Sequence, residues 1–151
     1  MTEICGLKER LRAQLKIDEG LRLFPYRDTV GKLTVGYGRN IDDRGISEDE
    51  AEYMLDNDID DHLEKVRANV LFFDTLNEPR QMVLANMGFN LGINGLLGFK
   101  KTLRAVAEGR YDEAATMMLQ SKWAHQVGVR ARRLAMIMRT GKYLEENIDG
   151  G

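Results

Sequence analysis

Apolar residues at the start of the chain fall four apart. Leu7, Leu11 and Leu15 lie on one face of a helix, and the spacing predicts that helix from about Gly6 to Glu19, with Gly20 suited to the left-handed stop. The next member of the series is Glu19, so a carboxylate stands where the stripe predicts a covered residue. A carboxyl at the rim of a core is partly desolvated, which favours its neutral form. The period then changes from four to two. Leu33, Val35 and Tyr37 alternate with Lys32, Thr34 and Gly36, as in a half-buried strand. Pro25 marks the preceding strand as an edge, and Thr29-Val30-Gly31 reads as a three-residue hairpin loop. With that loop Asp28 opposes Lys32 and Tyr26 opposes Thr34, and alternation puts Asp28 and Thr34 on one polar face. The hairpin ends near Asn40, and Ile41 to Gly45 reads as loop.

Helical spacing returns after Ser47. Ser47-Glu48-Asp49-Glu50 is a capping box. Leu55, Ile59, Leu63, Val66 and Val70 then mark one helix of about twenty residues. Its other face is acidic but lacks the loop spacing of a calcium site, so it reads as a solvated face. Asn77 or Thr75 can cap the next helix, with Pro79 tolerated in its first turn. Met82, Leu84, Ala85, Met87 and Phe89 make that helix apolar over most of its surface and predict a central buried position. A helix restarts after Gly109-Arg110, and Val129-Arg130-Ala131-Arg132-Arg133 opens another with a cluster of cations that the helix dipole does not favour.

Composition narrows the classes. A chain of 151 residues, 43% hydrophobic and 30% charged, is long enough for a real core in one domain. No run approaches the length of a membrane span, so no stable membrane insertion is expected. The charged N-terminus shows no secretory signal. Cys5 is the single cysteine and reads as a free thiol near a helix start. The eight methionines read as adaptable core filling. His62 and His125 have no partner spacing for a metal or a nucleophilic triad. A net charge of −2 argues against a dedicated nucleic-acid binder.

The candidate chemistry lies in Ile17-Asp18-Glu19-Gly20-Leu21-Arg22-Leu23, Tyr26-Arg27-Asp28-Thr29 and Thr34-Val35-Gly36-Tyr37-Gly38. One guarded acid, one exposed acid and a hydroxyl beside it suit general acid–base hydrolysis, and glycosidase chemistry needs such a pair of carboxylates. Taken singly, Asp28 near a turn is more often a turn former, and Asp-Glu at a helix end a solvated terminus. Together these segments resemble the catalytic region of the T-even bacteriophage lysozymes, muramidases of glycoside hydrolase family twenty-four. The order Glu19, Asp28, Thr34 matches that family's catalytic triplet without a gap. Further matches are Asn86-Met87-Gly88-Phe89-Asn90-Leu91-Gly92, Gly95-Leu96-Leu97-Gly98-Phe99, Ser121-Lys122-Trp123 and Arg139-Thr140-Gly141-Lys142-Tyr143. The resemblance runs from about residue 15 to 144, broken by some twenty missing residues after the hairpin.

It implies a mostly helical α+β, lysozyme-like fold in one domain, 1–151. A small β-hairpin lobe would span about 20–46, a long connecting helix about 47–69, and a larger helical lobe about 1–19 and 70–151. It also implies a bacteriolytic hydrolase of the peptidoglycan β-1,4 bond, needing no cofactor or metal. Glu19 would be the proton donor, and Asp28 the base for a water held with Thr34. Phe89 and Thr102 occupy substrate-contacting places of the family, and Arg130 that of the arginine paired with the catalytic glutamate. Departures are the acidic net charge, Arg39 for a histidine, Asn40 for a substrate-contacting leucine and Met117 for a substrate-contacting asparagine. The expected partner is the peptidoglycan glycan strand, met as a monomer, with no nucleic acid. The expected location is the host bacterial cytoplasm before release and the cell wall in action. Two rivals stay open: a lytic transglycosylase, and a non-catalytic module binding cell wall or nucleic acid through Arg130, Arg132 and Arg133.

Overall fold

The structure, a computed structural model, describes residues 2–145, with side chains from Gly6 onward. The side chain of Cys5 lies outside the described residues. Eight helices and one small sheet make the described α+β fold. Its residues cluster into two compact units, Met1–Tyr53 and Met54–Gly151.

The first unit opens with helix α1 (Thr2–Glu19). Gly20, at φ 69°, ends it, and its N–H donates to the carbonyl of Lys16 at 3.1 Å. Strands β1 (Arg22–Arg27), β2 (Leu33–Gly36) and β3 (Arg39–Asn40) form an antiparallel sheet in the order β1-β2-β3. Tyr26 pairs with Thr34 and Arg27 with Leu33, the register the loop length predicts. A bulge follows toward the strand's start, so Arg22 pairs with Gly36 and the intervening Leu23 and Phe24 project into solvent.

Two expectations fail in this unit. The loop after Asn40 is a one-turn helix, α2 (Ile41–Arg44), preceded by a third strand. Asn40 is the reason, because its side chain accepts from the Asp43 N–H and caps the turn. The leucine stripe of α1 is also uncovered: Leu7, Leu11 and Leu15 are 68%, 51% and 41% exposed. Spacing fixes which residues share a face but not what packs on it.

Helix α3 (Glu48–Asn69) begins in the first unit and ends in the second. Ser47 and Glu50 close the predicted capping box, with the Ser47 N–H donating to Glu50 and the Glu50 N–H to Ser47 Oγ. A short 3-10 turn (Phe73–Thr75) leads to α4 (Glu78–Leu97), capped by Asn77 with Pro79 in the first turn. Val83, Leu84, Met87 and Leu96 are completely covered, which makes α4 the buried centre of its unit. Helices α5 (Lys100–Ala107), α6 (Tyr111–Gln120), α7 (Lys122–Val127) and α8 (Val129–Thr140) complete the layer around it. Met118, Trp123, Leu134 and Met138 join that core. Among the described residues every buried apolar side chain belongs to the second unit, and Thr34 alone is buried in the first. No single described helix is long and apolar enough to cross a membrane.

Candidate active site

The hairpin turn is held by Asp28. Its Oδ1 accepts from the N–H of Val30 at 2.9 Å and of Lys32 at 2.8 Å. The Asp28 N–H donates to the Lys32 carbonyl at 2.9 Å, and the Gly31 N–H to the Asp28 carbonyl at 3.0 Å. Gly31 supplies the positive φ the turn needs, 85°. Both side-chain bonds fall on one oxygen; among the described residues Oδ2 has no bonded partner. Thr34 lies two residues beyond Lys32 and is 3% exposed. Its hydroxyl donates to the Lys32 carbonyl at 3.0 Å. The backbone of Lys32 therefore links the two predicted residues, donating to Asp28 and accepting from Thr34.

Glu19 is the last residue of α1, as its spacing predicts. It is exposed, which corrects the expectation of a partly desolvated acid; with the leucine stripe uncovered there is no core rim at that position. Its carboxylate instead lies against the backbone of the turn after β2. A Cβ at Gly38 would stand 2.7 Å from Glu19 Oε2. One turn earlier, the Lys16 ammonium sits 5.4 Å from the centre of the Tyr37 ring. The last turn of α1 thus meets Tyr37 and Gly38 through two side chains.

Charged pairs brace the sheet. Arg39 grips Glu50 with both terminal nitrogens, Nη1 to Oε1 at 2.8 Å and Nη2 to Oε2 at 2.5 Å, and Nη1 also donates to the Gly45 carbonyl at 3.1 Å. This fork and the Ser47 bonds hold the Glu50 carboxyl down at about 2. The Lys32 ammonium bonds Asp43 at 3.1 Å, which raises the lysine and lowers the aspartate. Asp42 accepts from the Leu33 N–H at 2.7 Å, tying α2 to β2. Arg39 and Asn40, the departures from the T-even pattern, thus carry a salt bridge and a helix cap.

The other predicted residues belong to the second unit. Phe89, on α4, is 39% exposed, and its ring lies 5.0 Å from that of His62 on α3. Both line a mostly apolar groove of about 500 Å³ with Ile59, Leu63, Met82 and Arg130. Arg130, in the first turn of α8, gives Nε and Nη2 to Asn86 Oδ1 at 3.0 and 2.8 Å. Thr102 is 4% exposed near the start of α5, beneath the surface rather than on it. Sequence reading passed over Asn86 and Asn90, one turn apart on the apolar α4; Asn90 Oδ1 accepts from the Trp123 indole at 2.8 Å. An amide on a largely apolar helix needs a partner, and that need was the available signal. Among the described residues no three His, Cys, Asp or Glu side chains stand close enough to hold a metal ion.

The family model of the phage lysozymes matches residues 16–139. That span holds Glu19, Asp28 and Thr34 in one stretch and Arg130 near its end. The chain belongs to the phage lysozyme family. It is 28% identical to a probable T4-type lysozyme 1 of Dictyostelium discoideum, over 87% of this chain and 94% of that protein. It is 29% identical to a second probable T4-type lysozyme of the same organism, over 89% and 96%. It is also 29% identical to the pre-baseplate central spike protein Gp5 of Enterobacteria phage T4, over 84% of this chain but 27% of that longer protein. Membership in the phage lysozyme family supports a glycoside hydrolase of muramidase type with peptidoglycan as its substrate.

Proposed function

We propose that this protein hydrolyses the β-1,4 bond between N-acetylmuramic acid and N-acetylglucosamine in peptidoglycan. Glu19 donates the proton to the leaving oxygen. Asp28 acts as base on a water held with Thr34, and the anomeric carbon inverts. The observation that carries this reading is that both turn bonds at Asp28 fall on Oδ1, with no bonded partner of Oδ2 among the described residues; that second oxygen is the one proposed to take the proton. The turn bonds fix the carboxylate's orientation before substrate arrives, which is what a positioned base requires. Thr34 spends its proton on the Lys32 carbonyl, so the lone pairs of its oxygen are directed to accept. Inversion requires the two carboxyl groups roughly 6.5–9.5 Å apart with that water between them. Phe89 and Arg130 are the proposed glycan contacts in their own unit, where both line the apolar groove; Thr102 is not among the residues that line it. The protein acts at the bacterial cell wall and needs no cofactor.

The test is mass analysis of fragments after incubation with isolated peptidoglycan. Hydrolysis yields reducing muramic ends. A 1,6-anhydro product, lighter by one water, would replace this reading with a transglycosylase. Intact sacculi in the presence of folded protein would leave a wall-binding module.

A further inference from the structure

Gly36 and Gly38 flank Tyr37 and both have a positive φ, 72° and 76°. Their surroundings differ. A Cβ built on Gly36 meets nothing within 4 Å, whereas one built on Gly38 would lie 2.7 Å from Oε2, 2.8 Å from Cδ and 3.2 Å from Cγ of Glu19. Those contacts are all to one flexible side chain, so an added methyl would move the carboxylate before it disturbed the fold. Both glycines stand at a positive φ; the room for Glu19 is needed only at Gly38.

We propose that Gly38 is a positioning residue for the acid, its missing Cβ leaving the space in which the Glu19 carboxylate lies against the turn. The Lys16–Tyr37 contact fixes the same helix turn on the same loop, so the glycine sets where the carboxyl points rather than whether the elements meet. The inference rests on the reading of Glu19 as proton donor. With Cβ present, the carboxyl must take another rotamer, away from the oxygen it protonates. That loss belongs to the transition state, so it appears in kcat and leaves KM nearly unchanged.

Gly36 provides the matched control. Gly36→Ala and Gly38→Ala both place alanine at a positive φ, and each should lower the melting temperature. Gly38→Ala should in addition lower kcat on soluble peptidoglycan fragments by about tenfold or more relative to Gly36→Ala. Carbon-13 spectra provide a readout without catalysis: the Glu19 side-chain carboxyl resonance should move in Gly38→Ala and stay in Gly36→Ala. Equal kcat for the two folded variants together with an unmoved Glu19 resonance overturns the inference. A moved resonance in a protein whose Glu19→Gln variant keeps full activity would uphold the geometry and sink the proton-donor reading instead.

Discussion

At Asp28 a turn former and a proposed base are one side chain, and substitution can separate them. Asparagine keeps an Oδ1 that accepts from Val30 and Lys32 but cannot take a proton from water. Asp28→Asn should therefore melt near the parent and lose activity by about 10²–10⁴-fold. Asp28→Ala should lose the activity and also about 1–2 kcal/mol of stability, because two backbone donors lose their acceptor. Calorimetry beside a turbidity assay on permeabilised cells separates the two roles; a fully active Asp28→Asn protein would remove the base. Glu19→Gln is the companion test. Its amide cannot donate the required proton, so lysis should vanish with the helix unchanged by circular dichroism, and activity within tenfold of the parent would take Glu19 out of the mechanism. The hairpin that carries Asp28 and Thr34 was legible because it is local: loop length and strand parity set its register, Tyr26 opposite Thr34, without knowledge of anything distant. Gly38 was not legible, since its role depends on an approach between a turn and a helix end that spacing does not encode.

Among the elements, the junction of β3 with α3 carries the strongest electrostatics. Glu50 closes the capping box and receives the Arg39 fork, which together bring its carboxyl from the ordinary 4.5 to about 2. A carboxyl lowered in the folded state stabilises fully above its unfolded value, and that stability is lost as pH falls through the folded one. The window here is pH 4.5 down to about 2. Glu50→Gln keeps an oxygen for the Ser47 N–H but gives up the charged fork. Between those limits the parent should lose more melting temperature than the variant; parallel curves would show that the fork contributes nothing. Ser47→Ala should cost about 1 kcal/mol near neutral pH, the usual effect of losing a cap. The capping box, the Asn77 cap and the central helix were readable because caps and apolar periods are local. The fate of the α1 stripe and the helical turn at Ile41–Arg44 were not, because the first depends on a distant surface and the second on a single asparagine cap.

For the whole molecule the governing quantity is charge. The net is −2, but its distribution is far from even. Helix α3 holds nine carboxylates against Lys65 and Arg67, while residues 100–142 hold ten cations against Glu108, Asp112 and Glu113. Not all of those cations are free: Arg130 is engaged by Asn86, Arg110 by Glu108 and Glu113, and Arg139 faces Asp112 at 3.7 Å. Peptidoglycan and its attached polymers are anionic. Attraction to the exposed Lys122, Arg132 and Arg133 is therefore opposed by repulsion from α3, and both are screened beyond roughly 8 Å at physiological salt. Because the two effects fade together, lysis rates should stay nearly constant or rise between low and physiological salt. A predominantly basic lysozyme would instead lose rate steeply, since screening removes attraction alone. Turbidity decay across a sodium chloride series measures this directly. A fall of tenfold or more with the fold unchanged would mean that the cationic segment dominates the encounter and that the carboxylates of α3 do not reach the wall.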